Sequence, residues 1–240
     1  MKGKFFLGLV WLIQTASIQA QHRVEIELKN AFQKGIETVN DTELEALKKK
    51  YEHEFKNVPT ASNRYWNAYA LYQQSLLNLV LEHNDKAEQL CEQTLTLLQT
   101  EEANTEQLAL LSLVLGFSTQ FKGYWAMIRL GQEAYITAEK ALEMDTNNIR
   151  ALYVLAINDF YTPKIFGGGK RVESLLQKAL SLPESNSSQS PTWGREEAFE
   201  LIVKYYREKK QNDLADQYLK KGLQAFPNST LLKAQTIARP

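Results

Sequence analysis

Cysteine is almost absent: Cys91 is the only one in 240 residues. A chain with a single cysteine forms no internal disulfide, so packing has to hold it together. Proline (6) and glycine (11) are scarce, which favours helices over the short strands and frequent turns of an all-β fold. Neither sign of charge is in excess, with Lys plus Arg and Asp plus Glu at 28 each. The basic footprint expected of a nucleic-acid partner is therefore missing. The three histidines, His22, His53 and His83, sit in separate segments without zinc-ligand spacing. No Gly-x-Ser-x-Gly nucleophile elbow occurs. These gaps leave no candidate for catalytic, metal or cofactor sites.

What is present is apolar content, at 44% of the chain, enough for a real core. Part of it lies at the start. Met1 to Lys4 is a short positive end, Phe5 to Ile13 is apolar, and Gln14 to Ala20 is small and polar. This is the layout of a secretory signal peptide over residues 1–20. Its apolar run has nine residues, against the roughly 20 needed to span a bilayer. No second long apolar run follows, so no stable membrane span is expected after cleavage. A soluble, exported, periplasmic product is the expectation, and no cysteine near Ala20 suggests a lipid anchor. Cys91, in "AEQLCEQTL", shares a helical face with Ala87 and Leu95 and reads as a buried structural thiol.

Residues 21–60 read as an N-terminal helical segment of two helices. The second is predicted to begin with a capping box, Thr42 and Glu45, ahead of Leu44, Leu47 and Tyr51 at helical spacing. From there helix, short polar turn and helix alternate. "RYWNAYALYQQSLLNLVLE" turns into "KAEQLCEQTLTLL", "TEQLALLSLVLGFSTQF" into "YWAMIRLGQEAYITAEKALEM", "NIRALYVLAINDFY" into "KRVESLLQKALSL", and "TWGREEAFELIVKYY" into "DLADQYLKKGLQAF". "STLLKAQTIA" starts one helix more. "SNSSQSP", 185–191, reads as a flexible linker. Pairs recurring at about 34 residues call for a repeat.

Small and large residues fall at matching places. Ala138, Ala141 and Leu142 close one unit; Gly222 and Pro227 close the last. Within that last unit Phe199, Ile202, Val203, Tyr206, Ala215 and Leu219 alternate in size. Leu152, Leu155, Ala156, Ala179 and Leu180 fit the preceding unit if about four residues are added between its helices. Leu115-Gly116 fits the one before if its second helix is two turns longer. The pattern resembles the tetratricopeptide repeat family over about 62–229. The resemblance implies an all-α fold, with antiparallel helix pairs stacked as a right-handed α-solenoid. Residues 61–240 would form the repeat domain, about four pairs plus a terminal helix. The physics agrees, since a lone amphipathic pair cannot bury its face and a stacked neighbour can.

One stretch looks like chemistry: "TPKIFGGGKR", 162–171. A phosphate loop of the Walker type would need Gly at 164 and Ser or Thr at 171, which are Lys164 and Arg171. A dinucleotide fingerprint would need Gly at 172, which is Val172. The simpler reading is a turn. Pro163 ends one helix, the glycines reverse the chain, Lys170 opens the next helix, and Ile165 and Phe166 tuck against the pair. An anion site on the free amides at that helix start is the alternative.

The family resemblance also implies where a partner binds: the inner wall, built from the first helix of each pair. It would carry Leu113, Phe117 and Phe121, then Arg150, Tyr153, Ile157 and Phe160, then Glu200, Lys204 and Arg207. Such a wall suits an extended peptide or an amphipathic helix. Alternatively, Leu113, Phe117 and Ile157 are core under the N-terminal helices. The expected function is an exported, non-enzymatic scaffold binding protein or peptide, without cofactor, metal or nucleic acid. The alternative is a small-ligand-binding accessory protein of an envelope transport system.

Overall fold

Helix boundaries are set by breakers and caps, and these divide the chain much as the sequence suggests. The computed structural model describes residues 23–183 and 191–237. The expected signal segment, 1–20, His22 and most of the expected linker lie outside them. Among the described residues there are eleven α-helices, two 3-10 turns and no strand. The described residues divide into two compact units, the first 23–101 with 191–192, the second 102–183 with 193–237.

In the first unit are α1 (23–38), α2 (Thr42–Asn57), α3 (Ala61–Val80) and α4 (Asn84–Leu98). α2 packs on α3, the first helix of the pair that follows. Gly35 lets α1 approach α3, since a Cβ there would lie 2.5 Å from Leu77 Cδ2. Glu27 of α1 accepts from Lys50 Nζ at 3.1 Å and Tyr51 Oη at 3.0 Å on α2. The expected Thr42–Glu45 capping box does not form. Thr42 is already helical, Asp41 is the N-cap but its side chain accepts from Gln74 and Lys86 instead of the helix amides, and Glu45 pairs with Lys48 at 3.1 Å. Thr60 does cap α3, accepting from Asn63 N at 3.1 Å. α3 and α4 form the first pair, with Trp66, Tyr69, Ala70, Ala87 and Cys91 all buried. Ser75 Oγ donates to Ala87 O at 2.6 Å, a contact possible only where small residues face each other. Pro191 and Thr192 return to this unit. Thr192 donates from N (2.7 Å) and Oγ1 (3.0 Å) to the buried Glu25 carboxylate of α1.

In the second unit are α5 (Thr105–Ser118), α6 (Tyr124–Met144), α7 (Ile149–Tyr161), α8 (Val172–Ser181), α9 (Arg195–Glu208), α10 (Asn212–Ala225) and α11 (Thr230–Ile237). Each new helix packs against both members of the pair before it: α7 against α5 and α6, α9 against α7 and α8, α11 against α9 and α10. First helices thus touch one another in a row, while α6, α8 and α10 pack only on first helices. The size code is obeyed. Leu115, Ala138, Ala141, Leu152, Leu155, Ala156, Ala179, Phe199, Ile202, Val203, Tyr206, Ala215 and Leu219 are buried. Ser112 Oγ donates to Ala134 O at 2.7 Å, fastening α5 to α6 at their closest approach. α6 has 21 residues against 14 in α10, the two extra turns that the repeat register demanded. Caps are mostly local. Asn104 and Gln107 form a reciprocal box on α5, and the Glu197 carboxylate accepts from Gly194 N at 2.6 Å. Glu101 and Glu102 lie in the turn before α5. Tyr206 joins α9 to α8 by donating to Glu173 at 3.0 Å. Burial, with help from Glu173, pushes its phenol up to about 12.

Candidate binding face

The glycine segment comes first, because it decides whether a phosphate fits. After a 3-10 turn, Lys164–Phe166, Gly167 (φ 89°) and Gly169 (φ 78°) take left-handed backbone that side chains disfavour. A Cβ on Gly168 would sit 2.0 Å from Thr162 O. All three glycines are required by the reversal itself. Two of the amides behind the anion-site alternative are already occupied. Asp159, buried near the end of α7, accepts from Arg171 N at 2.7 Å and Val172 N at 3.1 Å. An internal carboxylate thus takes the place an anion would fill. Two expectations are corrected here. Lys170 does not open the helix: α8 begins at Val172 with Arg171 as N-cap. Ile165 and Phe166 do not tuck against the pair but are 87% and 60% exposed, because the reversal turns them outward.

The wall implied by the repeats lies wholly in the second unit, on α5, α7 and α9. Leu113, Phe117, Phe121, Ile157, Phe160, Glu200, Lys204 and Arg207 are each partly exposed. Two expected members are not available. Arg150 is buried, its guanidinium spanning both oxygens of Glu106, with Nη2 donating at 2.7 Å. Tyr153 is buried edge-on against Trp193, with centroids 6.3 Å apart. Both are structural because α9's entry segment and α5's first turn close over the start of α7. Toward the far ends of the helices the face opens. Phe117 and Phe121 meet edge-to-face at 5.5 Å, Phe160 and Tyr161 at 5.0 Å.

Charge closes the α9 side. Lys204 Nζ donates to Tyr161 Oη at 2.7 Å and lies 5.4 Å from the Phe160 ring centre. Burial acts to lower this ammonium, but Tyr161 and Glu200 outweigh it and hold it above the ordinary lysine value. Burial pushes the Glu200 carboxyl up, against the pull of Lys204. Gln235 of α11 donates to Glu200 at 2.9 Å and accepts from Arg207 at 2.7 Å. The result is an aromatic and aliphatic stripe ending in a cation held over two rings. Tyr161, Gln235 and Asp159 were not singled out from sequence. Only Asp159 left a trace, as an acid amid apolar helix residues.

Among the described residues no three His, Cys, Asp or Glu side chains are placed to hold a metal. His53 and His83 are exposed. No described helix is long and apolar enough to cross a membrane.

No family model matches the chain, and no curated protein matches its sequence. Solved structures do. TTC0263, a thermophilic tetratricopeptide repeat protein of Thermus thermophilus, superposes with TM-score 0.57 at 15% identity, covering 87% of this chain and 96% of that one. YrrB, described as a tetratricopeptide repeat protein with an unusual peptide-binding site, gives 0.38 at 18% identity over 81% of this chain and 84% of its own. MamA gives 0.37 at 18% over 76% and 88%. The last two are too distant to add to the first. The Thermus structure, matched over nearly its whole length by the helix-pair packing described above, shows that this chain has the tetratricopeptide repeat fold.

Proposed function

We propose that this protein is an exported, non-catalytic scaffold that binds an extended protein or peptide segment along the α5–α7–α9 face. One observation carries the reading: Leu113, Phe117, Ile157 and Phe160 stay partly exposed on first helices that are otherwise largely buried, with Phe121 partly exposed on the turn after α5. One-turn spacing sets Leu113 and Phe117 in line on α5, with Phe121 following on the 3-10 turn, a surface that takes spaced side chains. Lys204 at the far side favours a carboxylate or carbonyl on the partner. The layout of residues 1–20 supports export, with a periplasmic location as its consequence.

The test is a photo-cross-linking amino acid at Ile157, against the same group at exposed Ile136 on α6 as control. The expected result is an adduct from envelope material at 157 and not at 136, abolished by Phe117→Ala/Phe160→Ala. Tyr153 is left intact because its loss would disturb the packing on Trp193. If the double variant keeps every adduct, the face is not the binding site.

A further inference from the structure

The chain is neutral overall, yet its charge is sorted along the second unit. The pairwise turns α5–α6, α7–α8 and α9–α10 (119–123, 162–171 and 209–211) carry Lys122, Lys164, Lys170, Arg171, Lys209 and Lys210, and no Asp or Glu. The turns at the opposite end, 145–148 and 226–229, carry Asp145 and no cation. Contacts put the three basic turns at one end of the unit, with the start of α6 reaching farthest. Ser112 Oγ accepts from Asn158 Nδ2 at 3.0 Å and donates to Ala134 O, so α5, α6 and α7 are level there. From that level α6 runs ten residues back to Tyr124, about 15 Å at 1.5 Å per residue. α7 runs on the same way into Pro163. Lys204 meets Tyr161, and α9 continues from it to Lys209 and Lys210.

The same end holds the most exposed large apolar side chains described. Trp125 is 81% exposed and Ile165 87%, with Tyr124 and Phe166 beside them in chain. Tyr124 and Trp125 meet edge-to-face at 5.2 Å on the first turn of α6, and Ile165 and Phe166 share the 3-10 turn. Trp and Tyr with aliphatic tips beside lysines are the composition that settles at a lipid headgroup boundary. Lysines near an anionic surface add attraction that salt weakens. Arg171 is already held by Glu139 and Tyr135, and Lys209 by Tyr205, so Lys164, Lys170 and Lys210 carry the charge argument. Asp159, spent on the α8 amides, Glu173, two residues after Arg171, and Glu208 and Asp213, on the flanking turns of α9 and α10, are the opposing charges nearby in chain.

We propose that this end of the second unit docks peripherally on an anionic bilayer surface, with Trp125, Ile165 and Phe166 entering the headgroup layer and Lys164 and Lys170 above it. The residues named for docking are not those of the α5–α7–α9 face, although Phe121 of that face lies in the α5–α6 turn at the same end.

Trp125 is a built-in reporter, since Trp66 and Trp193 are buried. The full chain carrying Trp11→Phe, which removes the tryptophan of the apolar N-terminal run, is mixed with phosphatidylglycerol-containing or pure phosphatidylcholine vesicles. The expected result is a blue shift of Trp125 emission and co-sedimentation with the anionic vesicles, falling steeply with salt. Ile165→Ser/Phe166→Ser and Lys164→Glu/Lys170→Glu should each lower partitioning roughly tenfold or more. These positions are exposed, so unchanged helicity by circular dichroism is expected in both. Absence of the Trp125 shift, or partitioning unchanged in both variants, would overturn the proposal. Should the variants instead lose a protein adduct while vesicles never bind, the end is a protein-docking surface and the lipid proposal fails. The cross-linker at Ile157 reports on the other face independently.

Discussion

Asp159→Ala tests the account of the glycine segment most directly. The carboxylate is buried and satisfies two amides at the start of α8, at 2.7 and 3.1 Å. Losing an N-cap costs about 1 kcal/mol. Val172, fully buried, would also keep an unpartnered N–H, adding about 1–2 kcal/mol. The amide of Arg171, an exposed residue, can turn to water and adds little. The expected loss is about 2–3 kcal/mol. Asp159→Asn keeps an oxygen in place and gives up mainly the charge at the helix start, about 0.5–1 kcal/mol. Urea denaturation followed by circular dichroism would show it. At a slope of about 2 kcal/mol/M the Ala midpoint falls by about 1 M, with the slope unchanged. The wild-type midpoint should not move on adding inorganic phosphate, because the amides are taken. Equal losses for Ala and Asn, or a phosphate-stabilised wild type, would refute the capping argument.

Glycine should divide by position. Gly168→Ala drives a Cβ into the Thr162 carbonyl and should cost about 3 kcal/mol, whereas Gly131→Ala, on α6 with open space around it, should gain about 0.5–1 kcal/mol in the same urea assay. For the buried ion pair, Arg150→Met strands Glu106 and should cost about 3–5 kcal/mol, while Arg150→Met/Glu106→Gln should cost less than Arg150→Met alone; a strictly additive cycle would show the pair to be uncoupled. Glu200 has its carboxyl raised by burial, so its contribution is full below the ordinary value of 4.5 and is lost as pH rises through the folded value. Glu200→Gln should therefore be more stable than wild type near neutral pH and lose that advantage below pH 4.5; a difference independent of pH would count against it.

Helix ends could be read from the chain because they are local. "YWAMIRLGQEAYITAEKALEM" is α6 from its first residue to its last, and the two added turns followed from the spacing of Ala138 and Ala141. Caps were harder. The Thr42 box failed by one residue, because which residue becomes the N-cap depends on how α1 hands over the chain at Asn40, whose side chain accepts from Thr42 N at 2.7 Å. On the binding face, register alone put Arg150 and Tyr153 on the wall. It could not show that Glu106 and Trp193, each about 40 residues away in chain, would bury them. Ile165 and Phe166 were misplaced for a related reason. Composition says that apolar residues tuck in, but left-handed glycines decided their direction.

Composition and periodicity by themselves determined an all-helical chain, its pairing into hairpins, the size alternation that lets the pairs stack, and the turn at the three glycines. These depend on neighbours within a few turns of helix, and a 3.6-residue period records them. Tertiary structure alone decided that Asp159 occupies the helix start where a phosphate was conceivable, which wall residues are spent internally, and that lysines and aromatics from three distant turns share one end. Those outcomes arise from contacts between segments far apart in chain, and residue order carries no direct mark of such contacts.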